Sequence, residues 1–132
     1  MRFLGIDYGK KRVGLAISDD DLKIAFPYDV LPNDKNLVDN VVLICKKEKL
    51  RSIVIGESKT TSGFRNPLMK DIVVFKKRLV DKVDADIFME PEYMTTFEAE
   101  RFQESRKKVD ASAAAIILQR FLEKWNSEGV QE

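Results

Sequence analysis

Apolar and polar positions alternate or repeat in a way that divides the chain into short elements. Phe3 to Asp7 reads as a strand, Tyr8-Gly9-Lys10-Lys11 as a turn, and Arg12 to Ser18 as a returning strand with partial alternation. The hairpin ends in Asp19-Asp20-Asp21, and a third strand is expected over Lys23 to Tyr28, with Pro27 marking an edge or its end. From Asn36 to Lys47 the spacing becomes helical: Leu37, Val38, Val41, Ile44 and Cys45 share a face, Asn33, Asp34 or Asn36 can cap it, and Lys46-Lys47 suit the negative end of the helix dipole. Ser52 to Gly56 is a short unbroken apolar run, the pattern of a parallel strand covered on both faces. Asn66-Pro67 has the form of an N-cap followed by proline at the first helical position, and Leu68, Ile72, Phe75 and Leu79 continue the stripe.

Ala85 to Met89 is another strand, and Thr95-Thr96-Phe97-Glu98 has the spacing of a capping box that opens a short helix. Asp110 can cap a last helix, whose stripe runs through Ala114, Ile117, Leu118, Phe121, Leu122 and Trp125 before Gly129 permits an exit. The expected order is three strands, helix, strand, helix, strand and two helices. That is an α/β architecture, a mixed five-stranded sheet flanked by helices. Lys59 to Arg65 and Ser105 to Val109 are polar and basic with few apolar anchors, and read as two mobile loops.

Composition narrows the chemistry. A chain of 132 residues, 44% apolar and 34% charged, suits one globular domain over 1–132. No stretch approaches the ~20 apolar residues of a membrane span, and the first strand reaches Asp7 before a secretory segment could form, so a cytoplasmic protein with no membrane partner is expected. Cys45 is the single cysteine, which excludes an internal disulfide and a cysteine-rich zinc site. There is no histidine, which removes catalytic triads and most transition-metal sites. The net charge of +1 gives no global attraction to nucleic acid, so local patches must carry it: Lys10-Lys11-Arg12, Lys76-Lys77-Arg78 and Arg106-Lys107-Lys108. Clusters this short are more often solvated surface.

Three acids stand at element ends. Asp7 closes an apolar strand, beside a glycine at position 9 that leaves room for a ligand; Glu92 follows the Ala85–Met89 strand; Asp110 opens the last helix. Each has an ordinary alternative, as a hairpin turn, a loop glutamate after Pro91 and an N-cap respectively. A mixed sheet would bring the three together, and carboxylate-only ligation points to Mg²⁺ or Mn²⁺. Two such ions ~4 Å apart can activate water and stabilise the leaving oxygen of a phosphodiester.

Phe3-Leu4-Gly5-Ile6-Asp7-Tyr8-Gly9-Lys10-Lys11-Arg12-Val13-Gly14-Leu15-Ala16, then Thr95-Thr96-Phe97-Glu98-Ala99 and Val109-Asp110-Ala111-Ser112-Ala113-Ala114-Ala115-Ile116-Ile117-Leu118, strongly resemble the YqgF (RuvX) family over nearly the whole chain. The resemblance implies a ribonuclease-H-like fold and a metal-dependent nuclease. The family was first labelled as Holliday junction resolvases and later linked to 5′-end processing of precursor 16S ribosomal RNA in ribosome biogenesis. It implies that Asp7 anchors the metals, that Glu92 ligates and orients the attacking water, and that Asp110 completes the cage. Lys10, Lys11, Arg12, Lys59, Arg65, Arg106, Lys107 and Lys108 are the candidates for phosphate contacts. The implied partners are structured RNA or branched DNA, and ribosomal particles, bound by a monomer or weak homodimer.

Two segments depart from the family pattern. Gly56-Glu57-Ser58 stands where Gly-Leu-Pro is usual, and Pro91-Glu92-Tyr93 where Asp-Glu-Arg is usual. Glu57 then reads as an extra ligand or, more simply, a solvated loop residue, and Glu90 competes with Glu92, which the Thr95–Glu98 register favours. Two rival readings remain: a sugar-kinase or actin-like fold, disfavoured by a length that holds only one such domain, and a non-catalytic RNA-binding assembly factor.

Overall fold

The computed structural model describes residues 1–60, 67–94 and 106–128; for Ser58 to Thr60, Pro67, Glu92 to Met94 and Arg106 to Asp110 the description is of the backbone. Eight elements follow in order: β1 (Phe3–Tyr8), β2 (Arg12–Ser18), β3 (Ala25–Pro32), α1 (Leu37–Glu48), β4 (Ser52–Thr60), α2 (Pro67–Lys82), β5 (Asp86–Met94) and α3 (Arg106–Ser127). The five strands form one sheet in the order β3-β2-β1-β4-β5. The tight turn after β1 makes β1, β2 and β3 antiparallel, whereas the helical crossovers α1 and α2 bring β4 and β5 back parallel to β1.

Strand alternation gives the sheet two faces, each with its own core. Leu4, Ile6, Val13, Leu15, Ile17, Ile53 and Ile55 point to one face, where Leu37, Val41 and Cys45 of α1 and Ile72, Phe75 and Leu79 of α2 cover them. Phe3, Ala16 and Val54 point to the other, against Ala114, Ile117, Leu118 and Leu122 of α3. An aromatic cluster extends this second core: Phe3 meets Trp125 edge-on at 5.2 Å, and Phe88 lies 5.1 Å from Phe121. Ile53, Val54 and Ile55 are wholly buried, two on one face and one on the other, as the unbroken apolar run requires.

The structure departs from the sequence pattern where pairing is non-local. β3 extends to Pro32, beyond the expected end at Tyr28, and tolerates Pro27 and Pro32 because it is an edge strand. β4 and β5 pair with each other as far as Thr60↔Met94, well past the expected ends at Gly56 and Met89. Lys59 therefore lies in β4 and not in a loop, and Glu92 lies inside β5 and not after it; Pro91 is tolerated because β5 is the opposite edge. α3 is helical from Arg106, so 106–109 do not form a loop and Asp110 is not its N-cap. Arg and Lys are strong helix formers, and their propensity outweighs the capping preference of a single aspartate. Asn36 does precede α1, but without a side-chain capping bond; the Asp34 carboxylate instead accepts the Asn36 N–H at 2.9 Å. Arg65, Asn66, Thr95 to Glu98 with the expected short helix, and Gly129 lie outside the described residues. No helix among the described residues is long and apolar enough to cross a membrane.

Candidate functional site

Asp7 is the penultimate residue of β1, half-buried and opposite Gly14 of β2. It alternates with Phe3 and Gly5, so it stands on the α3 face of the sheet. Gly5 shows how closely that helix lies: a Cβ there would be 2.7 Å from the Cβ of Leu118 and 3.0 Å from the carbonyl oxygen of Ala114. Phe3 meets Phe121 and Trp125, later in the helix, so α3 runs antiparallel to β1. Two further residues of strand, ~7 Å, and one turn of helix back from Ala114, ~6 Å, bring the Asp110 backbone to the level of Asp7.

Glu92 reaches the same end by a separate register. Ile6 pairs with Ile55, and Gly56 with Glu90, so position 90 is level with Asp7 and position 92 lies two residues beyond. Parity with Phe88 places position 92 on the α3 face. Asp7, Glu92 and Asp110 thus occupy one end of one sheet face, at the C-terminal ends of β1 and β5 and the first turns of α3. Among the described residues no three acidic or thiol side chains converge as a metal-sized group.

The two acids that could compete are disposed differently. Glu57 alternates with Ile53 and Ile55, and lines a groove with Met69 and Val73 of α2, on the face away from Asp7. Glu90 is on the α3 face, yet is only 3% exposed and is held by the Lys124 ammonium at 2.7 Å from its Oε2. A buried carboxylate needs such a partner, and this one is already engaged.

The turn between β1 and β2 carries Lys10 and Lys11, both exposed, and leads into Arg12. Gly9 is not a vacancy for a ligand: a Cβ on it would lie 2.5 Å from the Arg12 carbonyl oxygen, so glycine is needed for the turn to close. Asn33 fixes this turn from outside. Its Nδ2 donates to the Gly9 carbonyl at 2.7 Å and its backbone N–H to the Lys11 carbonyl at 2.9 Å. The sequence offered Asn33 only as a helix cap, and no local signal could have shown that it reaches back to a turn.

Arg106, Lys107 and Lys108 form the first turn of α3, at the acidic end, with no acidic residue in that turn. Lys59 is placed by its register on the face of Glu57, opposite Asp7. Lys76 to Arg78 lie on α2, across the sheet from Asp7.

A family model described as RuvX, Holliday junction resolvase, matches residues 1–124. A protein of Maridesulfovibrio salexigens is 35% identical over 132 residues, covering 92% of this chain and 98% of its own. One from Caldanaerobacter subterraneus subsp. tengcongensis is 34% identical, covering 93% and 96%. Both bear the name "Putative pre-16S rRNA nuclease". Among solved structures, Thermus thermophilus RuvC in complex with a Holliday junction substrate superposes with a TM-score of 0.62 at 12% identity, over 98% of this chain and 96% of RuvC. The Fowlpox virus resolvase with Holliday junction DNA gives 0.55 at 15% identity, over 94% and 98%. Identities this low speak to the fold alone, which is the ribonuclease-H-like fold of those resolvases. By its sequence match and its mixed five-stranded sheet, the chain belongs to the YqgF (RuvX) family.

Proposed function

We propose that this chain is a metal-dependent nuclease that hydrolyses phosphodiester bonds of structured nucleic acid, with precursor 16S ribosomal RNA as its substrate. What supports the proposal is that the backbone positions of Asp7, Glu92 and Asp110 lie toward one end of the α3 face, position 92 by way of the β1–β4 and β4–β5 registers and Asp110 by way of a helix seated on Gly5. The names borne by the relatives in two bacteria support the choice of substrate. The family description supports a branched DNA junction as the second candidate.

In this reading Asp7, Glu92 and Asp110 would hold Mg²⁺ or Mn²⁺, for which an all-carboxylate donor set in a chain without histidine is the fitting chemistry. Such ions, when bound, lower the pKa of a coordinated water and offset charge on the leaving oxygen. The chain's own groups do the rest. Asp7 is paired with Gly14 of β2 and directly follows Ile6, which pairs on the other side with Ile55 of β4, so its backbone is held by the sheet. Lys10 and Lys11, on a turn fixed by Asn33, and the Arg106–Lys108 turn of α3 attract and orient the phosphodiester backbone. Three cations in the first turn of a helix oppose its dipole, costing about 0.3–1 kcal/mol each when exposed.

The test is cleavage of end-labelled precursor 16S ribosomal RNA and of a four-way DNA junction, with Mg²⁺ or Mn²⁺, by wild type and Asp7→Asn. The expected outcome is metal-dependent cleavage of the RNA, reduced at least ~100-fold in the variant, more than loss of a supporting outer-sphere group usually gives. Cutting of the junction alone would select the resolvase reading. RNA binding with no cleavage by wild type would reject the nuclease and leave a binding factor.

A further inference from the structure

The sheet face that carries α1 and α2 is left partly open at its β3 edge. Phe26 pairs with Ile17 and so shares its face, but remains 53% exposed, and Tyr28 remains 37% exposed. They flank an open groove of about 480 Å³ whose rim carries Asp19, Asp20 and Glu48, with Arg2 as the one basic residue lining it among the described residues. The groove lies at the N-terminal end of β1, where Ser18 Oγ accepts the Phe3 N–H at 2.8 Å. That is the pole opposite Asp7.

The charge of this groove suits a cation. Arg2 is only loosely engaged with the carboxylates, its Nε 3.9 Å from Asp20 Oδ1 and its Nη2 3.6 Å from Glu48 Oε1. Its short bond, at 2.7 Å, goes to the Glu48 backbone carbonyl. The Met1 ammonium is likewise 3.9 Å from Asp20, whose side chain is 83% exposed. Asp19 accepts the backbone N–H groups of Ile24 at 3.1 Å and Lys23 at 2.8 Å, which hold its carboxyl below the usual carboxylate range. Glu48 ends α1, so the negative end of the helix dipole adds to the field. Exposed aromatic faces beside carboxylates favour a guanidinium, which stacks and pairs at once, over an ammonium. The backbone of β3 is blunted by Pro27 and Pro32, which have no N–H, so a partner is held by side chains and not by strand addition.

We propose that this groove docks an arginine-rich segment of a partner protein, with guanidinium groups stacked on Phe26 and Tyr28 and paired with Asp20 and Glu48. Because the groove and the acidic end lie at opposite poles of the sheet, a basic protein and a nucleic acid can be held together.

The test does not depend on cleavage. Fluorescein-labelled octa-arginine is titrated with the full chain at low salt, read by fluorescence anisotropy, and octa-lysine is titrated in parallel. Phe26→Ala, Tyr28→Ala, Asp20→Asn and Glu48→Gln are each expected to weaken octa-arginine binding about two- to fivefold, the range of single exposed cation–π or ion-pair contacts. Asp7→Asn is expected to leave it unchanged, and octa-lysine to bind more weakly. Thermal melts check folding, and Asp20→Asn, at so exposed a side chain, alters no packing. No octa-arginine binding, or sensitivity to Asp7→Asn alone, would overturn the proposal. So would a short single-stranded RNA whose binding is lost in Phe26→Ala and Tyr28→Ala, since that would make the groove a base-stacking platform.

Discussion

Replacing Gly5 by alanine tests whether the seating of α3 on β1 positions the acidic end. The new Cβ would stand 2.7 Å from the Leu118 Cβ and 3.0 Å from the Ala114 carbonyl oxygen. Carbon atoms pack best at ~3.5–4.0 Å, so the first contact is short by about 1 Å. Neither neighbour is the far end of a flexible side chain: one is rooted in the helix backbone and the other belongs to it. Relief therefore requires α3 to shift, against the ring contacts of Phe3 with Phe121 and Trp125. Overpacking of this kind costs about 1–3 kcal/mol, partly offset by the ~0.5–1 kcal/mol that alanine gains over glycine inside a strand. A contact of 2.7 Å calls for the upper part of that range, about 2–3 kcal/mol, and the net loss of about 1–2.5 kcal/mol corresponds to a Tm lowered by roughly 3–12 °C for a chain of this size. The assay pairs equilibrium urea unfolding with cleavage. Leu79→Ala is the comparator, a wholly buried residue of α2 packed on the other face of the sheet, with an expected cost of ~2–5 kcal/mol. Although less destabilised, Gly5→Ala should lose more cleavage than Leu79→Ala at a temperature where both are folded, because only the first displaces Asp110 relative to Asp7. Unchanged stability would refute the close approach, and equal activities would refute the link between α3 and the site.

Other expectations follow from single contacts. Lys124→Met should destabilise by about 1–3 kcal/mol, less than a fully buried pair would lose because the lysine is 53% exposed; urea unfolding should show partial recovery in the double variant Glu90→Met/Lys124→Met. Asn33→Ala should cost ~1 kcal/mol and speed amide exchange across Gly9 to Arg12, measured by hydrogen exchange, since the bond to the Gly9 carbonyl is lost. Burial raises the Cys45 thiol from 9.0 to about 11. The folded state thus keeps its proton where the unfolded state releases it, so the stability it contributes is present below pH 9.0 and is lost as pH rises toward about 11. Thiol labelling at neutral pH should accordingly proceed only at the rate of unfolding.

How much of this was legible in the chain depends on the range of the interaction responsible. The apolar run Ile53-Val54-Ile55, the α2 stripe and the aromatic end of α3 each pack through a periodicity carried within a few residues, and these elements formed where the pattern placed them. The tails of β4 and β5 did not show, because Glu57 to Thr60 and Glu90 to Met94 are mostly polar and become strand only by pairing with each other across more than thirty residues. The start of α3 departs from the sequence pattern for a different reason. Capping preference and helix propensity compete over Arg106 to Asp110, and a single aspartate weighs little against three basic helix formers.

The acidic end was legible to the extent that it lies on strands. Asp7 closes an apolar run, and strand parity then decides which other acids can share its face: position 92 does, and Glu57 does not, once β4 is known to continue past Gly56. What parity cannot supply is the partner of Glu90, which comes from Lys124 on another element. The α3 face is consequently graded along its length. At one end Phe3, Phe88, Phe121 and Trp125 supply tight packing, Lys124 from the same stretch of α3 reaches across to neutralise Glu90 at the level of Asp7, and toward the other end stand Asp7 and the positions of Glu92 and Asp110 beside the basic turn of α3. Like charges gathered at one place repel and weaken their own end of the helix. Seating the other end in aromatic contacts lets α3 remain docked while its first turns carry charge. A substitution in the aromatic cluster should therefore reach the acidic end through the tilt of this one helix.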